Sequence, residues 1–267
     1  MTYEHLTLER RDGIAVLTIN RPERRNAYSL KTVDEFHAAC DELDGDLTKR
    51  VLILTGAGPA FCAGIDLKEG TNNWPEDLGM VQGRYRLQRR LASMVLRLRD
   101  IPQPVIAAIH GPAVGGGLAL AAASDIRIAD TTARFNAAFI KLGLSGGDDG
   151  ASWFLPRLVG PSAAADILYT GRFVDAAEAK TLGLVSRVVE EGRHLEEADE
   201  VARQVMSNSP FGIRMTKELL NYTLDAPGLR QAIEMENRTQ TLCLLTEDFA
   251  EGVAAFAERR PADYRDR

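Results

Sequence analysis

The chain has 267 residues, 45% of them hydrophobic and 26% charged, enough to bury a large core as one domain or as a core with an appendage. A formal net charge of -6 argues against a nucleic-acid binder, which carries a basic face or a stripe of Lys and Arg. The three cysteines, Cys40, Cys62 and Cys243, are far apart and in no C-x-x-C pair, which excludes a disulfide framework or zinc ribbon and fits a reducing cytoplasm.

The opening MTYEHLTLERRDG is polar and lacks an apolar h-region, and no run of about 18 apolar residues follows, so neither export nor a membrane span is expected. Leu6 to Glu9 and Ile14 to Asn20 alternate apolar and polar residues around Asp12-Gly13, the pattern of a hairpin. Ser29 is placed to cap a helix running to about Leu43, with Val33 and Phe36 on its buried side. Val51 to Thr55 (VLILT) is a short, wholly apolar strand. Gly56-Ala57-Gly58 behind it is no dinucleotide fingerprint, because the third glycine would fall at Phe61 and no Walker lysine follows.

The stretch FCAGIDLK, residues 61 to 68, predicts a turn at Ala63-Gly64 and is followed by an expected flexible region with Asn72, Asn73 and Trp74. Arg84 to Arg99 places Leu87, Leu91, Met94, Val95 and Leu98 at helical spacing. It reads as an amphipathic helix with a solvated basic face or, alternatively, as one facing a phosphorylated ligand. Val105 to Ile109 and Ile126 to Ala129 are further apolar strands, each followed by a loop and a helix, which together predict a layered or spiralled α/β core with its working loops along one edge.

Between these strands lies GPAVGGGLALAAASD, residues 111 to 125. A glycine cluster opening a helix offers bare N–H groups to a developing negative charge. Paired with Ala63-Gly64, the cluster at Gly115 to Gly117 supplies two N–H groups that could converge on one oxygen. His110, just before it, is expected to end a strand and to be satisfied by a backbone group, and the lone Cys62 is expected to be inert. Gly143-Leu144-Ser145-Gly146-Gly147 matches the G-x-S-x-G elbow of serine hydrolases, but the preceding strand is weak. The sole later histidine, His194, sits in EEGRHLEE, which reads as a solvated helix start.

Past Glu196 the strand signals stop, and residues 197 to 258 give three or four helical patterns broken at Ser209-Pro210 and Ala226-Pro227-Gly228. The division is therefore a core over 1–196 and a helical segment over 197–267, which either packs across a subunit boundary or folds onto its own core.

Taken together, TINRPERRNAYS, LTGAGPAFCAGIDLKE, PVIAAIHGPAVGGGLALAAASDIRIA, LPRLVG, TGRFVDAAEAKTLGLVSRVV and DFAEGVAAFAERRPADY resemble the crotonase superfamily, the enoyl-CoA hydratase/isomerases, over nearly the whole chain. The resemblance implies a spiral of ββα units with a helical C-terminal segment, a coenzyme A thioester as substrate and no separate cofactor or metal. It also implies a homotrimer or dimer of trimers in the cytoplasm. It places the oxyanion N–H groups at Ile65 and Gly116, the CoA channel along Ala63, Ile65, Asp66, Leu67 and Lys68, and Arg24, Arg25 and Ala27 beside the cofactor.

The two glutamates with which hydratases of this family handle water fall at Ala119 and Phe139 here, and neither side chain transfers a proton. Counting back from Leu155-Pro156-Arg157, Asp148 stands where dienoyl-CoA isomerases and chlorobenzoyl-CoA dehalogenases of the superfamily keep an acting aspartate. Asp148 and Asp149 read either as caps of a helix starting near Gly150 or as a carboxylate pair in which one pKa is raised, with Asp148 the expected proton carrier. Phe139, Trp153 and Phe154 read as core or as acyl-pocket wall. The expected function is isomerisation or related proton shuttling on an enoyl-CoA. A catalytically silent acyl-CoA binder is the first alternative, and a hydrolase using Ser145 the second.

Overall fold

Asp12 and Gly13 both take positive φ, 43° and 81°, which suits the right-handed twist of a tight hairpin and joins the first two strands in antiparallel register. In a computed structural model describing residues 2–69 and 78–267, the strands are β1 (Leu6–Arg11), β2 (Ile14–Ile19), β3 (Val51–Gly56), β4 (Val105–Ile109), β5 (Pro112–Val114), β6 (Ile126–Asp130), β7 (Arg134–Asn136), β8 (Val174–Asp175) and β9 (Arg187–Val189). The helices are α1 (Leu30–Asp44), α2 (Gly79–Asp100), α3 (Gly116–Ala123), α4 (Ala151–Val159), α5 (Pro161–Thr170), α6 (Ala176–Leu182), α7 (His194–Met206), α8 (Pro210–Thr223), α9 (Leu229–Leu244) and α10 (Glu247–Glu258). Asn72, Asn73 and Trp74 lie outside the described residues.

The main sheet runs β1-β2-β3-β4-β6-β9, parallel from β2 onward, and a smaller sheet runs β5-β7-β8. This mixed α/β arrangement is the one expected. Its inner strands β2, β3 and β4 are largely apolar because both faces are covered, and alternation divides their side chains between two cores. Leu52 and Leu54 of β3 point with Val105, Ala107 and Ile109 of β4 toward α1 and α2, whereas Val51, Ile53, Ile106 and Ala108 meet Ala198, Val201 and Ala202 of α7.

Ser29 caps α1 as expected, in a reciprocal capping box with Thr32. Helix α2 buries Leu87, Leu91, Met94, Val95 and Leu98, and its basic side is largely engaged: Arg90 pairs with Asp34, and Arg97 with Asp41 and Asp44 of α1. The expected boundary at residue 196 falls inside α7, which covers the back of the main sheet; the helices beyond it carry the exposed apolar surface, including Leu245, Phe249, Val253 and Phe256. Lys217 anchors α8 to the core, with its buried ammonium donating to the carbonyls of Leu98 (2.9 Å) and Gln103 (2.8 Å), 3.3 Å from Asp125. Among the described residues no helix is long and apolar enough to cross a membrane.

Candidate active site

Segment 61–65 runs beside β5: the Cys62 N–H donates to the Pro112 carbonyl at 3.1 Å, and the Val114 N–H donates to the Cys62 carbonyl at 2.9 Å. Tyr28 flanks the same segment. Its N–H donates to the Gly64 carbonyl and its carbonyl accepts from the Asp66 N–H, both at 2.9 Å. The groups on either side of Ile65 are thus used, while the Ile65 N–H has no acceptor among the described residues. Gly116, the first residue of α3, has no intrahelical acceptor for its N–H and finds none elsewhere among the described residues.

The two loops touch at this point. A Cβ on Gly64, whose φ is 87°, would stand 2.8 Å from the Val114 carbonyl and 3.3 Å from the Gly116 nitrogen. Cβ atoms on Gly116 and Gly117 would collide with the Tyr28 hydroxyl and the Cys62 carbonyl. Glycine is required at Gly64 and Gly117 because backbone forms the contact, whereas a Cβ at Gly116 fits only if the Tyr28 side chain shifts. Two N–H donors without partners, at the end of a helix and beside a strand-like loop, can bind one carbonyl oxygen and hold the charge it acquires.

A cavity of about 190 Å³ opens beside these groups, with Tyr28, Ile65, Leu87, Phe139, Asp148 and Asp149 in its walls. Ala119 is fully buried in α3, so neither it nor Phe139 supplies an acid. The carboxylates come from the loop before α4, where Asp149 (φ 48°) and Gly150 (φ 85°) are both left-handed and turn the chain sharply into the helix. Neither aspartate side chain caps α4, because the helix has no side-chain cap; its first N–H, from Ala151, goes to the Asp148 backbone carbonyl.

The two acids have unequal surroundings. Asp148 is half-buried, and its Oδ1 accepts from the Gln88 amide at 2.7 Å and the Asp149 N–H at 2.8 Å. Asp149 is buried; its Oδ2 accepts from the Tyr28 hydroxyl at 3.1 Å and its Oδ1 has no partner. Burial, and secondly the charge of Asp148, raise the Asp149 pKa to about 6, against a smaller lowering by Tyr28. The raised pKa expected within the pair falls on Asp149. A second apolar cavity, of about 460 Å³ between α2, α4 and α8, also reaches Asp149, with Trp153 and Phe154 in its wall.

Leu67 lines the cavity and is exposed, as are Arg24, Arg25 and Lys68, whereas Ala27 and Ala63 are half-buried; the Ala63 N–H donates to the Arg25 carbonyl at 3.0 Å. Arg24, Arg25 and Lys68 have no ion-pair partner among the described residues. Asp66 differs, since its buried carboxylate lies 3.3 Å from the Arg21 guanidinium and its backbone bonds to Tyr28 and Glu69. Arg84 of α2 lines the cavity, so that end of the basic helix faces the site.

His110 meets the expected backbone partner through Nε2, 2.8 Å from the Gly58 carbonyl, while its buried Nδ1 has none. His194 is not solvated: it is buried, stacked on His110 at 4.4 Å and 3.2 Å from Asp130, and burial lowers its pKa. Ser145 is exposed, with its hydroxyl accepting from the Gly147 N–H at 3.2 Å, so the serine and histidine of the hydrolase alternative are engaged separately. Burial drives the Cys62 thiol to about 12, far from a reactive thiolate. Tyr28 and Gln88 are the polar contributors that sequence reasoning missed. Tyr28 stands inside NAYS, where nothing local marks an aromatic ring as part of a site. Among the described residues no group of three or more His, Cys, Asp or Glu is placed to hold a metal.

The enoyl-CoA hydratase/isomerase family model matches residues 9–267. The chain is 41% identical over 258 residues to the probable enoyl-CoA hydratase EchA12 of Mycobacterium tuberculosis, covering 96% of this chain and 90% of that one. It is 35% identical over 260 residues to the enoyl-CoA hydratase EchA19 of the same species, covering 97% and 96%. Among solved structures, a probable enoyl-CoA hydratase/isomerase from Mycobacterium abscessus superposes with a TM-score of 0.91 at 40% identity, covering 99% of this chain and 100% of that one. An enoyl-CoA hydratase from Bacillus anthracis gives 0.92 at 33%, with the same coverage.

Proposed function

Because the chain belongs to the enoyl-CoA hydratase/isomerase family, we propose that it binds an enoyl-CoA, holds the thioester oxygen between the N–H groups of Ile65 and Gly116, and moves a proton with Asp149. The supporting observation is a cavity walled by Ile65, whose N–H has no acceptor, and by a buried carboxyl poised near pH 6, with the equally unpartnered Gly116 N–H meeting the Ile65 loop at Gly64.

In this reading the thioester carbonyl polarises as the two amides take up its developing charge, and ionised Asp149 removes a proton from the acyl carbon chain. The electron pair of that C–H bond becomes part of the enolate. The protonated carboxyl returns the proton at a different carbon, so the double bond moves and nothing is oxidised or reduced. A carboxyl with a pKa of about 6 suits both halves, since it accepts and returns a proton near neutrality. The apolar walls from Leu87 and Phe139 exclude water from the enolate. Asp148 stands beside it, held by the Gln88 amide. Arg24, Arg25 and Lys68 supply positive charge for the CoA phosphates, with coenzyme A bound as part of the substrate. The exposed apolar surface beyond α7 supports assembly as a trimer or dimer of trimers.

The test is a panel of 2-enoyl-, 3-enoyl- and dienoyl-CoA esters in deuterated water, with positional isomers and deuterium incorporation followed by NMR. Asp149→Asn is expected to lower turnover by about 10² to 10⁴ with CoA binding retained, and Asp148→Asn to retain most of it. The opposite ranking moves the proton to Asp148, the carrier that the family resemblance suggested. Formation of 3-hydroxyacyl-CoA by the wild type establishes hydration instead, and inertness across the panel establishes the silent binder.

A further inference from the structure

We propose that Tyr28 is a positioning residue for this reaction: its backbone fixes the Ile65 amide of the oxyanion hole, and its hydroxyl fixes the Asp149 carboxyl, so one residue joins the two halves of the site. The proposal rests on the reading in which Asp149 carries the proton.

Three observations converge on Tyr28. Its N–H and carbonyl bind the groups immediately before and after Ile65, Gly64 and Asp66, at 2.9 Å each, which aims the intervening N–H without consuming it. Its ring is fully buried and the hydroxyl lies over the Gly116 Cα, in the place that any Cβ there would occupy. From that place the hydroxyl donates to Oδ2 of Asp149 at 3.1 Å, across 121 residues of sequence. A buried phenol has two simple ways to satisfy its polar end, water or a protein partner. Here it takes a buried carboxyl whose other oxygen is unpartnered, and both residues line the cavity.

The charged and polar groups around Asp149 set the direction of the effect. Asp148 stands next to it in the chain, Arg84 and Gln88 of α2 share its front cavity, and Arg99 and Asp100 of α2 with Asn221 and Asp225 of α8 share the rear one. Cys62 is buried near Tyr28 and stays protonated. Of these, the Tyr28 hydroxyl is the group that hydrogen-bonds the Asp149 carboxylate, and it favours the ionised form.

Tyr28→Phe removes only that hydroxyl and keeps the buried ring. The experiment compares the wild type, Tyr28→Phe, Asp149→Asn and the double variant on the enoyl-CoA that the wild type turns over best, with kcat, KM and the pH profile of kcat/KM measured for each. Tyr28→Phe is expected to lower kcat by about 10- to 100-fold, the worth of a hydrogen bond to a charged group. KM for the ester should change little, and the acidic limb should move to higher pH. The double variant should be no slower than Asp149→Asn alone, because the hydroxyl acts through that carboxyl. Wild-type kcat and an unmoved acidic limb in Tyr28→Phe, with Asp149→Asn impaired, overturn the proposal and leave the proton-carrier reading standing. Equal losses from Tyr28→Phe with and without Asp149 also overturn it, by showing that the hydroxyl acts elsewhere. Full turnover by Asp149→Asn overturns both.

Discussion

The backbone N–H of Asp149 donates to Oδ1 of Asp148 at 2.8 Å, so two adjacent carboxylates are locked together in different environments. Asp148 gains donors from this contact and from Gln88, whereas Asp149 has the Tyr28 hydroxyl set against the larger effects of burial and its neighbour's charge.

Asp149 is therefore a stability cost at neutral pH. Its pKa is raised from 3.8 to about 6, so the folded chain binds more protons than the unfolded chain across that interval, and stability falls as pH rises through it. The difference corresponds to at most about 3 kcal/mol. Asp149→Asn should melt higher than the wild type at pH 8 and close to it at about pH 4, as followed by circular dichroism. Asn also tolerates the left-handed backbone at this position, so the substitution adds no strain. A variant that is more stable and less active is the expected signature of a site carrying an uncompensated charge.

Gly116→Ala and Gly117→Ala should separate function from folding. The first new Cβ meets the end of a side chain, the Tyr28 hydroxyl, and the second meets a backbone carbonyl of Cys62. Gly116→Ala is expected to fold and to lose about 10²- to 10³-fold in kcat as the oxyanion donors shift. Gly117→Ala is expected to lose more stability, about 3 kcal/mol, because the backbone it strikes cannot swing aside. Urea denaturation and kcat measured on the same samples test the ranking.

Arg24→Ala combined with Arg25→Ala should raise KM for the CoA ester about five- to tenfold at low salt, and the effect should shrink as salt screens these exposed charges. Turnover at saturation is expected to stay near that of the wild type. The check is a KM series across ionic strength with a single enoyl-CoA.

Much of the fold is legible in the sequence because its signals are local and periodic. VLILT is a strand buried on both faces, Ser29 caps α1 through Thr32, and the Arg84 to Arg99 periodicity lies within α2. The glycines of the proposed oxyanion hole are legible as well, since the need for bare backbone restricts the residue type. The aspartate pair is legible too, but not which of its members is buried. Which of two adjacent aspartates is buried depends on the φ of 48° at Asp149 and on a partner 121 residues away, and neither leaves a local mark. His194 misleads for the same reason: its neighbours are charged, but the ring stacks on His110 from a distant strand end.

Lys217→Met should destabilise the chain by about 2 to 4 kcal/mol, because it removes the donor to two buried carbonyls and the close positive partner of Asp125. The loss should appear as a lower urea midpoint with α8 released first, seen as faster hydrogen exchange in that helix than in β3.

Sedimentation equilibrium is expected to give three or six copies of the chain. Phe256→Glu, at the exposed end of α10, should shift the distribution toward smaller species.

In the proposed reaction the grip on the thioester comes from peptide groups of 61–65 and the start of α3, whereas the acid rides on the short connection ahead of α4. These parts can change separately. Rewriting a few residues of that connection would exchange one transformation for another while the handle common to all such esters stays in place, so divergence among relatives should concentrate there and spare the glycines.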